Sequence, residues 1–267
     1  MIDSPPRLVL LGHPVSHSIS PRFQNAALRA ANIPLVYETL DVAPEALDET
    51  LAMLAGEHAA GNVTIPLKEL VSARCARRSP LAERVGAVNV YWHENGELVG
   101  DNSDVGGAEA TMRALLGDTP PRRMALLGAG GSAAAVLVAA ERCGFGEVRV
   151  YNRNMDRAKQ VAERVGGVVQ AVASMEEALA GADLVVNATP VGLHGDDVPV
   201  PVTMLPEGCA VFDLAYQKTE TPWITASREA GHRAADGLGM LIEQGAIAFR
   251  MWFDVEPDRA AMWKAIS

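Results

Sequence analysis

Three observations predict an α/β protein. Short apolar runs of β type alternate with helical stretches along almost the whole chain, the order that builds mainly parallel sheets. A glycine cluster stands directly between an apolar strand and an alanine-rich helix within residues 124–143. A turn-rich polar break, Gly117 to Arg123, precedes a fresh βαβ series. The 267-residue length, at roughly 150 residues per domain, agrees with two domains.

The elements follow in order. Arg7 to Leu11 reads as a buried strand ending at Gly12. Ser20 is expected to cap a helix with Pro21 at its first position, where a missing N–H does no harm, and Asn32 to close it. Leu35 to Val42 reads as a strand, Pro44 to Leu54 as a helix, and Asn62 to Ile65 as a third strand. Asn95-Gly96, between Val88 and Val99, is a hairpin signal because both residues tolerate positive φ. Ala108 to Leu116 reads as helical. After the break come a strand at Met124 to Gly128, a helix at Ser132 to Cys143, a strand at Glu147 to Asn152 and a helix at Asp156 to Val165. Leu184 to Pro190 and Ala210 to Tyr216 read as strands and Thr221 to Ala230 as a helix. Met240 to Trp252 forms the last long helix, with a short one from Glu256.

Composition excludes several function classes. Twenty-three Lys and Arg against 33 Asp and Glu leave a net charge of −10, against a general binder of nucleic acid or anionic membrane but compatible with a local basic pocket. Cys75, Cys143 and Cys209 are widely spread with no CxxC pair, as expected of reduced, buried thiols in a cytoplasmic protein. The six histidines form no ligand-spaced cluster, so no metal is expected. The longest uncharged run, Met124 to Ala140, carries three glycines and is shorter than the roughly 20 apolar residues of a membrane span. MIDSPPRLVLLG at the start shows no cleavable signal pattern.

Leu126-Leu127-Gly128-Ala129-Gly130-Gly131-Ser132 carries the clearest chemistry. Gly128 can make a tight turn after the strand, and Gly130 or Gly131 lets backbone amides at the helix N-terminus approach a pyrophosphate. Ala133 or Ala134 takes the place of a third glycine and still permits close packing. A merely structural glycine turn is the plainer alternative. The next strand weighs against it. Where an NAD-binding fold offers a carboxylate to the ribose 2′-hydroxyl, this chain has Asn152-Arg153-Asn154, with Arg157 one turn on. Two guanidiniums and no carboxylate suit a 2′-phosphate, which favours NADP(H) over NAD.

Three further polar segments lie at strand ends, where open α/β sheets bind ligands. They are GHPVSHSISP at residues 12–21, NVTIPLK at 62–68 and GDNSD at 100–104. Their short, numerous polar atoms suit a polyhydroxylated small molecule. Together with GAVN at 86–89, LLGAGG, YNRN, NATPVG at 187–192 and GLGMLIEQGAIAFRMW at 237–252, they resemble the shikimate dehydrogenase family over nearly the whole chain.

That resemblance implies an α/β substrate domain, residues 1–104 with 239–267, and an inserted Rossmann-type doubly wound NADP-binding domain, residues 105–238. It implies reversible NADPH-dependent reduction of 3-dehydroshikimate to shikimate, a step toward chorismate and the aromatic amino acids. Lys68 and Asp104 match the family's catalytic pair. Ser18, Ser20, Thr64, Asn89, Asp104, Tyr216 and Gln244 are expected at the substrate. Gly128, Ala129, Gly130, Gly131, Ser132, Asn152, Arg153, Arg157, Thr189, Gly237 and Met240 are expected at the cofactor. The chain departs from the family pattern at Gln24, where many relatives have His, and at Val90, Ser103 and Asn154.

A ketone gaining hydride develops negative charge on its oxygen, so an ammonium such as Lys68 can hydrogen-bond it and supply the proton. His13 and His17 read as hydrogen-bonding residues of their turn, not as acid–base groups. Two alternatives stay open: a quinate/shikimate dehydrogenase with broader substrate or NAD use, and a non-catalytic module that binds NADPH or shikimate. A monomer and a homodimer are both compatible with the sequence.

Overall fold

The first apolar run forms β1 (Leu8–Gly12), buried at all five positions, as a strand covered on both faces requires. The computed structural model describes residues 5–118 and 120–267. The first four residues of the N-terminal segment and Thr119 of the polar break lie outside the described residues. The chain divides into two units, Met1–Ser103 with Leu241–Ser267, and Asp104–Met240.

In the first unit β1 leads to α1 (Ser20–Ala30). Pro21 sits in its first turn as expected, but Ser20 is not the cap. The chain already has near-helical dihedrals at Ile19 (φ −88°, ψ −2°), which becomes the N-cap residue, so Ser20 opens the helix. The hydroxyl of Ser18 takes over locally, accepting from the Ser20 N–H at 3.2 Å. Asn32 closes the turn with φ 54°. Then come β2 (Tyr37–Asp41), a 3₁₀ turn at Pro44–Ala46, α2 (Leu47–Gly56), β3 (Ala60–Val63), α3 (Lys68–Arg74), β4 (Arg77–Arg78), α4 (Pro80–Val85), β5 (Val90–Glu94) and β6 (Glu97–Asp101). The sheet order is β2-β1-β3-β5-β6-β4. β1 runs parallel to β2 and β3, but β5 is antiparallel to β3 and β6. β4 pairs parallel with β6, so the pairing is mainly parallel as expected. The two antiparallel pairs both involve β5, which Asn95 (φ 53°) and Gly96 (φ 80°) join to β6 through a two-residue hairpin that can only link antiparallel strands.

The second unit opens with α5 (Asp104–Leu116). It begins four residues before the expected Ala108. Gly106 and Gly107 have poor intrinsic helix propensity, but the helix continues through them, with Gly107 buried among its packed residues. Next are β7 (Arg123–Leu127), α6 (Ala133–Arg142), β8 (Glu147–Tyr151), α7 (Met155–Val165), β9 (Val169–Ala171), α8 (Met175–Leu179), β10 (Leu184–Asn187), β11 (Ala210–Asp213), α9 (Pro222–Glu229) and β12 (Ala234–Ala235). The sheet is parallel throughout, in the order β12-β11-β10-β7-β8-β9. This is the doubly wound dinucleotide-binding topology, with its switch point between β7 and β10.

The chain then returns. α10 (Gly237–Phe253) begins in the second unit and continues into the first, and α11 (Arg259–Ile266) follows, capped by Asp258, whose carboxylate accepts from the Ala261 N–H at 3.0 Å. Ile242, Ala246, Phe249, Trp252 and Met262 are fully buried or nearly so beside Leu8, Leu10, Phe23, Ala27 and Tyr37, so the C-terminal helices complete the first unit's core. Among the described residues no helix is long and apolar enough to cross a membrane, and no cluster of His, Cys, Asp and Glu is arranged to hold a metal.

Candidate active site

A groove of about 380 Å³ opens at the switch point of the second unit. Gly128, Ala129 and Gly130 line it from the β7–α6 turn, Asn152, Arg153 and Arg157 from beyond β8, and Thr189, Pro190 and Val191 from beyond β10. Both arginines are exposed at its edge, and no Asp or Glu lines it. Gly128 has φ +105°, and a Cβ there would lie 2.8 Å from the Ala188 carbonyl oxygen, so the fold itself demands glycine. Gly130 and Gly131 differ. A Cβ on Gly130 would come no nearer than 3.8 Å to its neighbours, and one on Gly131 would meet nothing within 4 Å. Missing side chains that the fold does not require leave space over the start of α6. There Ser132, the N-cap residue, makes no side-chain capping bond. The first-turn N–H groups thus lack that partner and suit an anionic group. Gly131 and Ser132 continue the same turn without lining the groove.

The wall beyond β10 is tied down by a buried carboxylate. Asn187 Nδ2 donates to Asp213 Oδ1 (2.8 Å) and to the Val191 carbonyl (3.0 Å), while its Oδ1 accepts from the Thr189 hydroxyl (2.6 Å) and N–H (3.0 Å). Asp213 also accepts from Thr221 Oγ1 (2.8 Å) and the Ala215 N–H (3.0 Å). Burial raises its pKa, and these hydrogen bonds oppose the rise. Thr189 is therefore presented to the groove by a network whose anchor, Asp213, sequence reasoning missed. Its signal was a polar residue at the end of a fully apolar strand.

The first unit gathers a second polar cluster. Asn89 (2% exposed), Ser103 (1%) and Gln244 (8%) converge from a loop, the chain after β6, and α10. Asn89 Oδ1 accepts from the Ser103 N–H at 2.7 Å, and its Nδ2 reaches Ser103 Oγ at 3.0 Å and Gln244 Oε1 at 3.3 Å. Ser103 Oγ also reaches Gln244 Oε1 at 3.3 Å. Asn62, unassigned in the sequence, supports this cluster from below: its Nδ2 donates to the Asn89 carbonyl (2.9 Å) and its Oδ1 accepts from Tyr37 (2.7 Å). The NVTIPLK segment at residues 62–68 pointed to it without giving it a role.

The other predicted residues are placed as follows. Thr64 is half-buried just beyond β3, its N–H bonded to the Leu11 carbonyl at 2.8 Å. Lys68 is half-buried and opens α3; Asp104, 5% exposed, opens α5. Ser18 is half-buried and Ser20 buried. Tyr216 is half-buried beyond β11, and burial raises its phenol pKa. Gly237 and Met240 lie in the first turn of α10 and are not among the residues that line the groove; a Cβ on Gly237 would sit 2.2 Å from the Leu214 carbonyl oxygen. His13 is exposed and pairs with Asp41 through Nδ1 at 2.5 Å, tying the ends of β1 and β2 together in keeping with a turn role.

Comparison with known proteins places the chain in a family. A family model of the shikimate dehydrogenase substrate binding domain matches residues 10–91, one of shikimate / quinate 5-dehydrogenase matches 111–192, and one of the shikimate 5'-dehydrogenase C-terminal domain matches 237–266. The chain is 43% identical to a shikimate dehydrogenase (NADP(+)) of Rubrobacter xylanophilus over 100% of this chain and 97% of that one. Its fold is similar to the crystal structure of shikimate 5-dehydrogenase from Thermus thermophilus in complex with NADP(H) and shikimate. The TM-score is 0.90 at 37% identity, covering 100% of this chain and 98% of the other. It is also similar to a quinate dehydrogenase from Corynebacterium glutamicum in complex with NAD, with a TM-score of 0.86, 29% identity and 97% coverage of each chain. The chain belongs to the shikimate dehydrogenase (NADP+) family.

Proposed function

We propose that this chain reversibly reduces 3-dehydroshikimate to shikimate with NADPH, with Lys68 and Asp104 as its acid–base pair. The carrying observation is the cationic groove: Arg153 and Arg157 line it, no carboxylate does, and the glycine turn opens onto an uncapped helix start. When bound there, NADPH supplies the hydride. Arg153 and Arg157 would hold the 2′-phosphate, Asn152 and Thr189 would fix the ribose and neighbouring groups, and the α6 amides would face the pyrophosphate.

The substrate's hydroxyls and carboxylate need many short polar partners. Ser18, Ser20, Thr64, Asn89 and Gln244 supply them, with Tyr216 as a further contact. Asn89 and Gln244 are held in fixed rotamers by their mutual bonds, which lowers the ordering cost of binding. The Lys68 ammonium donates to the ketone oxygen as negative charge develops and transfers its proton there; in the reverse direction the neutral amine takes the hydroxyl proton. Asp104 orients the lysine and a substrate hydroxyl. Positioned acid–base groups of this kind contribute about 10²–10⁴-fold.

Three free cysteines suit a reducing, cytoplasmic setting. Cys75 and Cys209 are buried and Cys143 half-buried, and burial pushes all three thiols up to about 11. A monomer or homodimer fits this reading. The runner-up, a quinate dehydrogenase using NAD, draws on the fold similarity to such an enzyme. Comparing kcat/KM for shikimate and quinate, each with NADP+ and NAD+, separates the two. Highest efficiency with shikimate and NADP+ supports the reading; highest efficiency with quinate and NAD+ replaces it. No turnover of either substrate leaves a binding module.

A further inference from the structure

We propose that Gln24 is a positioning residue for the substrate, seating Gln244 by holding α1 against α10; this rests on the reading above. Gln24 is 1% exposed, and its Nε2 donates to the Gly245 carbonyl at 3.0 Å. Gly245 is the residue after Gln244, and α1 leaves no room for a side chain on it: a Cβ there would lie 2.5 Å from Phe23 Cε2 and 3.1 Å from Gln24 Nε2. Ser20 lies one helical turn before Gln24, on the same face of α1. One side chain thus joins the helix that carries Ser20 to the helix that carries Gln244.

Stability does not explain the amide. Gln24 Oε1 is buried and has no hydrogen-bond partner among the described residues. Rotating the amide would set its oxygen against the Gly245 carbonyl, so the acceptor faces away by necessity. The Gly245 carbonyl, in the interior of α10, already has an intrahelical donor four residues on. An unpaired buried acceptor is a cost, and an apolar side chain of the same length would avoid it. What the amide adds is a directional tie at the residue beside Gln244.

Gln24→Met removes the tie and keeps the volume. The expected result is a KM for shikimate raised by about tenfold, equivalent to a weak hydrogen-bond's worth of positioning, with KM for NADP+ unchanged and Tm equal to or above wild type. The thermal shift produced by shikimate alone should shrink in parallel, a readout independent of turnover. Gly245→Ala acts on the same contact from the other helix and should also raise the shikimate KM selectively. An unchanged shikimate KM in Gln24→Met overturns the proposal. So does a fall in Tm or a failure to fold, which would make Gln24 a structural residue. Wild-type protein in the same assay keeps the two ideas apart: no turnover of shikimate by wild type removes the functional reading, whereas turnover unaffected by Gln24→Met removes only this inference.

Discussion

Asn89 and Gln244 lie 155 positions apart in the chain, yet Asn89 Nδ2 comes within 3.3 Å of Gln244 Oε1 while Asn89 Oδ1 accepts from the Ser103 N–H at 2.7 Å. The bond links a loop near the middle of the substrate-side sheet to the returning C-terminal helix, and fixes the rotamers of two groups assigned to the substrate. Asn89→Leu leaves the buried Ser103 N–H without its acceptor, so unfolding free energy should fall by about 1–3 kcal/mol. Shikimate KM should rise while NADP+ KM stays put. Denaturant titration and steady-state kinetics measure the two effects; equal losses of both affinities would contradict the assignment.

The two glycines of the nucleotide turn should separate fold from function. Gly128→Ala forces an L-residue into φ +105° with its Cβ against Ala188, and about 1–3 kcal/mol of strain is expected before the contact itself is counted. Gly131→Ala meets no protein atom within 4 Å. It should fold with unchanged Tm but bind NADP+ more weakly, because the new methyl occupies the space over the α6 N-terminus. Unchanged NADP+ affinity in Gly131→Ala would mean that the pyrophosphate does not sit there.

Arg153 tests cofactor choice. Arg153→Ala should lower kcat/KM with NADP+ by about 10- to 100-fold, the worth of a charge-assisted hydrogen bond or two, and leave NAD+ nearly unaffected. Equal losses with both cofactors would remove the 2′-phosphate from its role.

Stability should depend on His93. Burial lowers its pKa from 6.5, partly opposed by the Nδ1 hydrogen bond to the Ala59 carbonyl at 2.7 Å. The folded state therefore holds His93 neutral where the unfolded chain would protonate it. Its contribution is present above the unfolded value near 6.5 and is lost as pH falls from there through the lower folded value. Urea midpoints of wild type and His93→Gln at pH 8 and pH 5.5 check this: the difference should narrow at the acid end. A gap that stays constant would show that this histidine does not titrate between the two conditions.

Much of this was legible because the local signals were strong. β1, the Asn95-Gly96 hairpin and the Gly128 turn each rest on chemistry confined to a few residues, and all three formed. Ser20 as a cap failed because one residue, Ile19, entered helical dihedrals early, which no neighbouring side chain announced. β9, α8 and β12 are very short and owe their existence to pairing and packing across the sheet, so no periodicity betrays them. The same holds at the site. The glycine turn and Arg153 could be read locally, whereas the Asn89–Ser103–Gln244 cluster, the Asn62 support and the Gln24 tie are long-range contacts that only the fold brings together.

The central claim is that Lys68 moves the proton when shikimate is oxidised with NADP+. The most direct measurement is kcat for Lys68→Ala with both substrates saturating, with folding verified by its NADP+ affinity. The account predicts a loss of about 10²–10⁴-fold with NADP+ binding retained. A variant that kept more than about a tenth of wild-type kcat would contradict it.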